Sequence, residues 1–385
     1  MIDPEQFSRA FQDRYDGEPR VFSAPGRVNL IGEHTDYNDG FVMPFAIDRH
    51  TLVGLARRPD DLLNVYTLTL DKSAQIRPGK ENLPTKSDWT TYIAGMAEVL
   101  RERGLQIGGA DILIDSDIPF GAGLSSSAAL ETAVGKALSD MAGKTLEPRQ
   151  LAFAGQTVEH KFVGLRSGIM DQFASGLSRE GNAMLLDCRR LDVEYVPLGM
   201  GTAVLAVCDT RVKHDLATTA YNERREECEQ AVKILSAKIP AATALRDVTP
   251  SAFQKLKALL PDRLRRRCRH VITENARTLA AAEALRSRDL NEVGRLMNLS
   301  HESLRDDYEV SCAELNLLAD TAREIPNVYG ARMTGGGFGG CTINLLEKSA
   351  FDGFESRIKI KYVAAFGREP TVFRVKASSG ASQIR

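Results

Sequence analysis

The chain opens with a series of short apolar runs. RVFSAP, FVMPFAID, TLVGLARR and LNVYTLTL fall within the first seventy residues. Several alternate apolar and polar positions, and Gly, Pro or Asp clusters separate them, which predicts β-strands. ADILIDSDIP, residues 110–119, alternates as well, with Ile112 and Ile114 on one face. The period then lengthens. In GAGLSSSAALETAVGKALSDMAG, Leu130, Val134, Ala137 and Met141 recur at helical spacing. The serines at its head suit helix N-caps, and Gly143 stands where a helix end takes a left-handed residue. LEPRQLAFAGQTVEHKFVG predicts a second helix with Leu151, Ala154, Val158 and Phe162 on one face.

After about residue 195 the order changes. TAVLAVCDT (202–210) predicts a strand and DLATTAYNERREECEQAVKILSAK a long helix. A charged, helix-rich stretch runs to about residue 325. VYGARMT and CTINLLE are two strands joined through glycines, FDGFESRIKIKYVAAFG a helix and TVFRVKAS a last strand. Around the helical insertion the order is strand, helix, strand, strand, helix, strand, the split βαβ or ferredoxin-like arrangement. With 385 residues, and roughly 100–200 per domain, the expectation is two α+β domains, 1–195 and 196–385, with a cleft between them.

Composition narrows the function classes. Lys plus Arg is 50 and Asp plus Glu is 51, a net charge of −1. Nucleic-acid binders usually carry a basic excess on some domain, so no nucleic-acid partner is expected. DRLRRRCRH (262–270) is the one basic cluster; it lacks interleaved aromatics and predicts a solvated helix face. The charged N-terminus predicts no secretory leader, and no apolar run approaches a membrane span. The six cysteines are scattered singly, without a Cys-x-x-Cys pair, which predicts free thiols in a reducing cytoplasm.

Three segments carry more chemistry than a plain core requires. APGRVNLIGEHTDYNDG (24–40) gathers Arg27, Asn29, Glu33, His34, Asp36, Tyr37 and Asn38 between apolar strands. Turns favour Gly, Asn and Asp, but they do not need Arg, Glu, His and Asp together. Mixed donors and acceptors suit a polyhydroxylated ligand, whose hydroxyls both donate and accept. IPFGAGLSSSAA (118–129) places Gly121 and Gly123 between a strand and a helix N-terminus, where backbone N–H groups can cradle phosphate. It is not a Walker A loop: Gly143-Lys144-Thr145 has Leu138 where the upstream glycine belongs. TGGGFGG (334–340) formally fits G-x-G-x-x-G, but a strand follows it and not a helix, so a dinucleotide site is excluded. A loop where backbone passes close to a ligand or to another segment fits better. Two carboxylates complete the set. Asp171 could orient or deprotonate a hydroxyl. Glu159, with a serine of the 125–127 run, could serve Mg²⁺, which takes few protein oxygens beside phosphate.

Taken together, these motifs resemble the galactokinases of the GHMP small-molecule kinase superfamily. GRVNLIGEHTDYN resembles the galactokinase signature in full, and GAGLSSSAA and TGGGFGG resemble the superfamily's phosphate loop and third motif. VEHKFVGLRSGIMDQFAS and HDLATTAYNERREEC are also similar, so the resemblance runs from about residue 20 to about 345. It implies an N-terminal domain like the second domain of ribosomal protein S5 and a ferredoxin-like C-terminal domain. It implies transfer of the ATP γ-phosphoryl group to the C1 hydroxyl of D-galactose, the first committed step of galactose catabolism. By this resemblance Asp171 and Arg27 are catalytic. Glu33, His34, Asp36, Gly168, Asp171 and Tyr221 bind the sugar, with Asp36 and Tyr221 near O3 and O4, and Glu33 and His34 near O6. Gly121, Ala122, Gly123, Leu124, Ser125, Ser126 and Ser127 hold the ATP phosphates, and Ser127 and Glu159 hold Mg²⁺. Thr67 stands where many relatives carry a serine near the nucleotide, and Asp209 where an asparagine is common.

The competing expectations are a related sugar 1-kinase and a non-catalytic galactose sensor. N-acetylgalactosamine kinases resemble GEHIDY at the first motif, whereas this chain has Glu33-His34-Thr35-Asp36-Tyr37; an L-arabinose kinase is the other such rival. Sensors lose part of the serine–alanine stretch, which is complete here from Ser125 to Ala129. The expected partners are therefore D-galactose and ATP, with the chain a cytoplasmic monomer.

Overall fold

A computed structural model describes residues 2–79, 88–212 and 217–385. Helix α1 (Pro4–Gln12) starts on Asp3, whose carboxylate accepts the Glu5 N–H at 2.9 Å. Strands β1 (Arg20–Asn29), β2 (Phe41–Val42), β3 (Pro44–Arg57), β4 (Leu63–Thr67) and β5 (Lys72–Ile76) follow. Helix α2 (Trp89–Glu102) leads to β6 (Ala110–Ser116). FVMPFAID and TLVGLARR, expected as separate strands, share the single strand β3, with only Phe41 and Val42 split off as β2. The polar Asp48–His50 stretch falls where the β1 ladder is interrupted: Pro25 pairs with His50 and Arg27 with Ala46, and pairing with β6 begins only at Thr51. Helices α3 (Ser126–Met141), α4 (Pro148–Val158) and α5 (Met170–Leu177) come next, then β7 (Asn182–Asp187) and β8 (Asp192–Pro197).

The second half opens with β9 (Ala203–Asp209) and a helical insertion: α6 (Ala217–Leu235), α7 (Pro250–Leu256), α8 (Asp262–Arg286), α9 (Leu290–Ser303) and α10 (Ala313–Arg323). Of the expected segment HDLATTAYNERREEC, residues 213–216 lie outside the described residues. Then come β10 (Val328–Thr334), β11 (Cys341–Glu347), helix α11 (Phe351–Phe366) and β12 (Thr371–Val375), and last the short β13 (Ala377–Ser378) and β14 (Ser382–Gln383).

The sheet order β10-β11-β9-β12, antiparallel throughout, is the split βαβ arrangement expected for this half. The first half builds on β14-β1-β3-β6-β4-β5, in which β4 and β6 pair in parallel. Helices α2, α3 and α4 cover one face of it through Ile93, Met96, Val134, Leu138 and Leu151; α1 covers part of the other through Phe7 and Phe11. The last strands return to this sheet, β13 on β3 and β14 on β1. One apolar cluster then joins the halves: Val28, Phe45 and Ile47 pack with Leu205, Val207, Ile343 and Leu345. Burial of that shared surface holds the two walls of the cleft together. Among the described residues, no helix is long and apolar enough to cross a membrane.

The basic run 262–270 is only partly a solvated face. Leu264, Arg267, Cys268 and His270 point inward: Arg267 is 1% exposed and His270 fully buried. Arg267 is neutralised by Glu227 at 2.6 Å and Glu309 at 2.7 Å, as a buried guanidinium must be.

Candidate active site

A cleft of about 360 Å³ lies where the three segments converge. Arg27, Glu33, His34 and Asp36 line it from the first, Gly121, Gly123, Ser125, Ser126 and Ser127 from the second, and Gly335 to Gly340 from the third. Glu159, Gly168, Asp171 and Tyr221 complete the wall. Three expected residues are not in it. Ala122 and Leu124 are buried in the core and do not line the cleft. Thr67 is buried at the end of β4, paired across the sheet with Ile114, and does not line the cleft. Sequence reasoning had not singled out Leu165, Ser167, Met170, Val212, Thr218 or Phe338, which also line it.

The local folding explains the placement of Arg27. The β1–β3 register slips between Pro25 and Arg27, a bulge of the kind that re-aims side chains beside sites. Gly26 lies opposite the extra β3 residues 47–49, and a Cβ on it would lie 2.7 Å from the Leu124 carbonyl. Arg27 is thereby turned to Asp171: Nε donates to Oδ1 at 2.8 Å and Nη2 to Oδ2 at 3.0 Å, while Nη1 donates to the Gly123 carbonyl at 2.5 Å. Arg27 is only 3% exposed. Burial pulls its pKa down, but the Asp171 and Glu33 carboxylates outweigh burial and hold it above its ordinary value.

Ser125 occupies the N-cap position of α3, yet its hydroxyl makes no cap hydrogen bond. It donates instead to Asp171 Oδ2 at 2.5 Å, so the expected cap is spent on the carboxylate. Ser125 is left-handed, with φ 59°. Ser126 and Ser127, at the head of the helix, line the cleft, and the unpaired N–H groups of a helix N-terminus suit an anion. TGGGFGG packs tightly against this loop: a Cβ on Gly335 would lie 2.7 Å from the Gly123 carbonyl, and one on Gly340 2.9 Å from that of Ala122. The third motif is thus a close-approach segment, as expected.

Family models match three stretches of the chain: the galactokinase galactose-binding signature over 9–57, the GHMP kinase N-terminal domain over 91–179 and the GHMP kinase C-terminal domain over 281–364. A galactokinase of Chloroflexus aggregans is 46% identical across 97% of this chain and 96% of its own. One from Roseiflexus sp. is 43% identical across 100% and 98%. The chain belongs to the galactokinase family. The crystal structure of Lactococcus lactis galactokinase complexed with galactose superimposes with a TM-score of 0.93 at 34% identity, covering 99% of this chain and 98% of that one. Mevalonate kinase, at 19% identity and a TM-score of 0.67, shares the fold alone.

The electrostatics of this galactokinase cleft follow from burial. Asp36 is pushed up to about 7, chiefly by burial and then by the charge of Asp171. Glu159 also rises to about 7, by burial and by Asp171, against the Ser167 hydroxyl that lowers it. Ser127 Oγ is 3.5 Å from Glu159 Oε1. A hydroxyl and a carboxylate side by side next to a phosphate loop fit Mg²⁺, whose remaining ligands are usually water and phosphate oxygens.

His34 carries both ring nitrogens engaged. Nε2 meets the Gly336 carbonyl at 3.1 Å and Nδ1 the Tyr37 hydroxyl at 2.8 Å. A carbonyl only accepts, so Nε2 carries the proton and Nδ1 accepts from Tyr37. Burial, then the neighbouring His270, pushes His34 down to about 3, and the ring is neutral. Tyr37 in turn meets the Tyr308 hydroxyl at 2.7 Å, and Tyr221 packs its ring 5.3 Å from both His34 and Tyr37.

The helical insertion braces the signature loop, a role no sequence signal had marked. Glu274 of α8 accepts the Gly32 N–H at 3.0 Å and the Ser300 hydroxyl at 2.6 Å, and Arg277 pairs with it at 2.7 Å. Asn275 accepts the Phe41 N–H at 2.9 Å, and His270 meets the Glu33 carbonyl at 3.0 Å. These residues lie far from the motif in sequence, in a stretch that reads only as charged and helix-rich.

Proposed function

We propose that this chain transfers the γ-phosphoryl group of ATP to the C1 hydroxyl of α-D-galactose, giving galactose 1-phosphate and ADP. The observation that carries this is the Arg27–Asp171 fork, set between the phosphate loop and the signature loop. Phosphoryl transfer is mainly positioning and charge stabilisation. In this reading Asp171 receives the C1 hydroxyl. Arg27 and the Ser125 hydroxyl hold its two oxygens, so that the carboxylate cannot swing away. Arg27 also places a fixed positive charge where negative charge builds.

Asp36, beside Gly168, and Tyr221 form the wall we assign to O3 and O4. Glu33 and His34 are assigned to O6. The His34 ring nitrogens are engaged, so His34 would offer its backbone N–H. The N–H groups at the head of α3 and the backbone of 121–127 would hold the ATP phosphates; Thr67 lies apart from this arrangement. Ser127 and Glu159 would hold Mg²⁺, which supplies charge neutralisation of the phosphates when bound. The free cysteines support a reducing, cytoplasmic setting.

The test is ADP release with Mg²⁺-ATP against D-galactose, N-acetylgalactosamine, L-arabinose, D-glucose and mevalonate. Turnover strongest on D-galactose is expected. Strongest turnover on another sugar would overturn the pocket assignment. Galactose binding without turnover on any of them would replace catalysis with sensing.

A further inference from the structure

Glu33 joins the signature loop to the ferredoxin-like half. Its Oε1 accepts the Gly335 N–H at 2.7 Å, and Arg332 Nη2 stands 3.4 Å from the same oxygen. Arg332 belongs to β10 and is fully buried. Its Nη1 donates to the Asn29 carbonyl at 2.9 Å. Nε and Nη2 have no hydrogen-bond partner, and neither has the nearby Asn29 Nδ2. Idle buried N–H groups on a guanidinium are costly, and a charge so placed calls for a reason. Glu33 is the carboxylate at ion-pair distance. Gly335 and Arg332 both approach Oε1, and Glu33 lines the cleft. Only 2% of Glu33 is exposed; burial raises its carboxyl above the ordinary value, and Arg332 first, then Arg27 and the Gly335 N–H, pull it back toward the charged form.

We propose that Arg332 is a positioning residue for sugar recognition: from behind the pocket it holds Glu33 as a carboxylate, with Oε1 clamped and Oε2 presented to a substrate hydroxyl. The proposal rests on the sugar-kinase reading above. It makes the site demand a hydroxyl at one position of the sugar, because a buried acceptor left unpaired by a deoxy analogue is penalised. It also assigns the third glycine motif a second role: its Gly335 N–H fixes which oxygen of Glu33 faces away from the cleft.

The test uses D-galactose and its monodeoxy analogues as substrates. In Arg332→Lys we expect KM for galactose to rise about tenfold with kcat within about threefold and KM for ATP unchanged. The preference for galactose over 6-deoxygalactose should fall at least about tenfold while the other deoxy sugars keep their ratios. A uniform rise in KM across all analogues would show a merely structural strut and overturn the proposal. So would unchanged preferences. Arg332→Met leaves Glu33 without its cation and can fail to fold, so it is also made in Glu33→Gln, where neither charge remains. In that background Arg332→Met should leave the 6-deoxy preference unchanged within about twofold, because a residue that acts through Glu33 has nothing left to act on. A further tenfold change there would mean that Arg332 acts independently. Wild-type failure to phosphorylate galactose would sink the sugar-kinase reading itself, which the variants' ratios do not address.

Discussion

Arg27 and Asp171 meet as a two-pronged fork, 2.8 and 3.0 Å, with Ser125 closing on the same carboxylate from the phosphate loop. Three chain segments far apart in sequence thus converge on one carboxylate. Asp171→Asn keeps the shape and removes the charge. Turnover should fall by about 10²–10⁴-fold or more, with ATP affinity by calorimetry nearly unchanged. Substantial turnover in that variant would remove Asp171 from the reaction.

Asp36, raised to about 7 by burial and then by Asp171, predicts a proton-linked sugar affinity. Sugar hydroxyls donating to Asp36 favour its charged form, so galactose binding below pH 7 should release a proton. Calorimetry in buffers of different ionisation enthalpy reads this directly, and Asp36→Asn should abolish it. The sign for stability runs the other way. A raised folded pKa gives stability that is full below the ordinary carboxyl range and is lost as pH rises through about 7. The sugar-free wild type should therefore lose more thermal stability than Asp36→Asn between about pH 4 and about pH 8.

Gly168 lies against the Asp36 carboxyl, and an added Cβ would overlap that group. Gly168→Ala must displace Asp36. KM for galactose should rise at least about tenfold with the fold intact, since a small misplacement of a positioning group is costly. An unchanged KM would mean that Asp36 does not meet the sugar where assigned.

Glu274 is ionised: burial would raise it, but Arg277, then His270 and Arg332, bring it down to about 2. Its stabilisation is present above the ordinary carboxyl range and lost as pH falls through about 2. Glu274→Leu leaves Arg277 unpaired and the Gly32 N–H without its acceptor. About 3–5 kcal/mol of stability should be lost, read by urea unfolding, and the signature loop should loosen. A loss under about 1 kcal/mol would mean that the loop does not depend on this brace.

Glu159→Gln should raise the Mg²⁺ concentration needed for half-maximal turnover by about 10–100-fold, the range seen when residues supporting a metal are altered. Equal Mg²⁺ dependence in variant and wild type would take Glu159 out of the metal site.

The motif residues were legible because each carries a local demand. Gly26, Gly335 and Gly340 are where backbone must approach backbone, and Arg27, Glu33 and Asp36 are charged side chains between apolar strands that a simple turn would not need. The split βαβ order of the second half was legible for a similar reason, since strand and helix periods are properties of short windows. Ser125 does stand at the N-cap of α3, but its hydroxyl has two competing uses, and only the position of α5 shows that it goes to Asp171. The brace of His270, Glu274 and Asn275, and the burial of Arg267, were not legible, because on one helix a buried charge and a solvated one have the same spacing.

The order of residues carries the chemistry of the cleft: which side chains are present, that a glycine loop precedes α3, and that the whole matches one kinase family. Tertiary structure alone decided their pairing. Arg27 with Asp171, Glu33 with Gly335 and Arg332, and Gly32 with Glu274 join residues 144, 302, 299 and 242 positions apart. Whether a buried polar atom finds its partner depends on how two sheets and an inserted helix share one core, and that contact lies outside any local window of the chain.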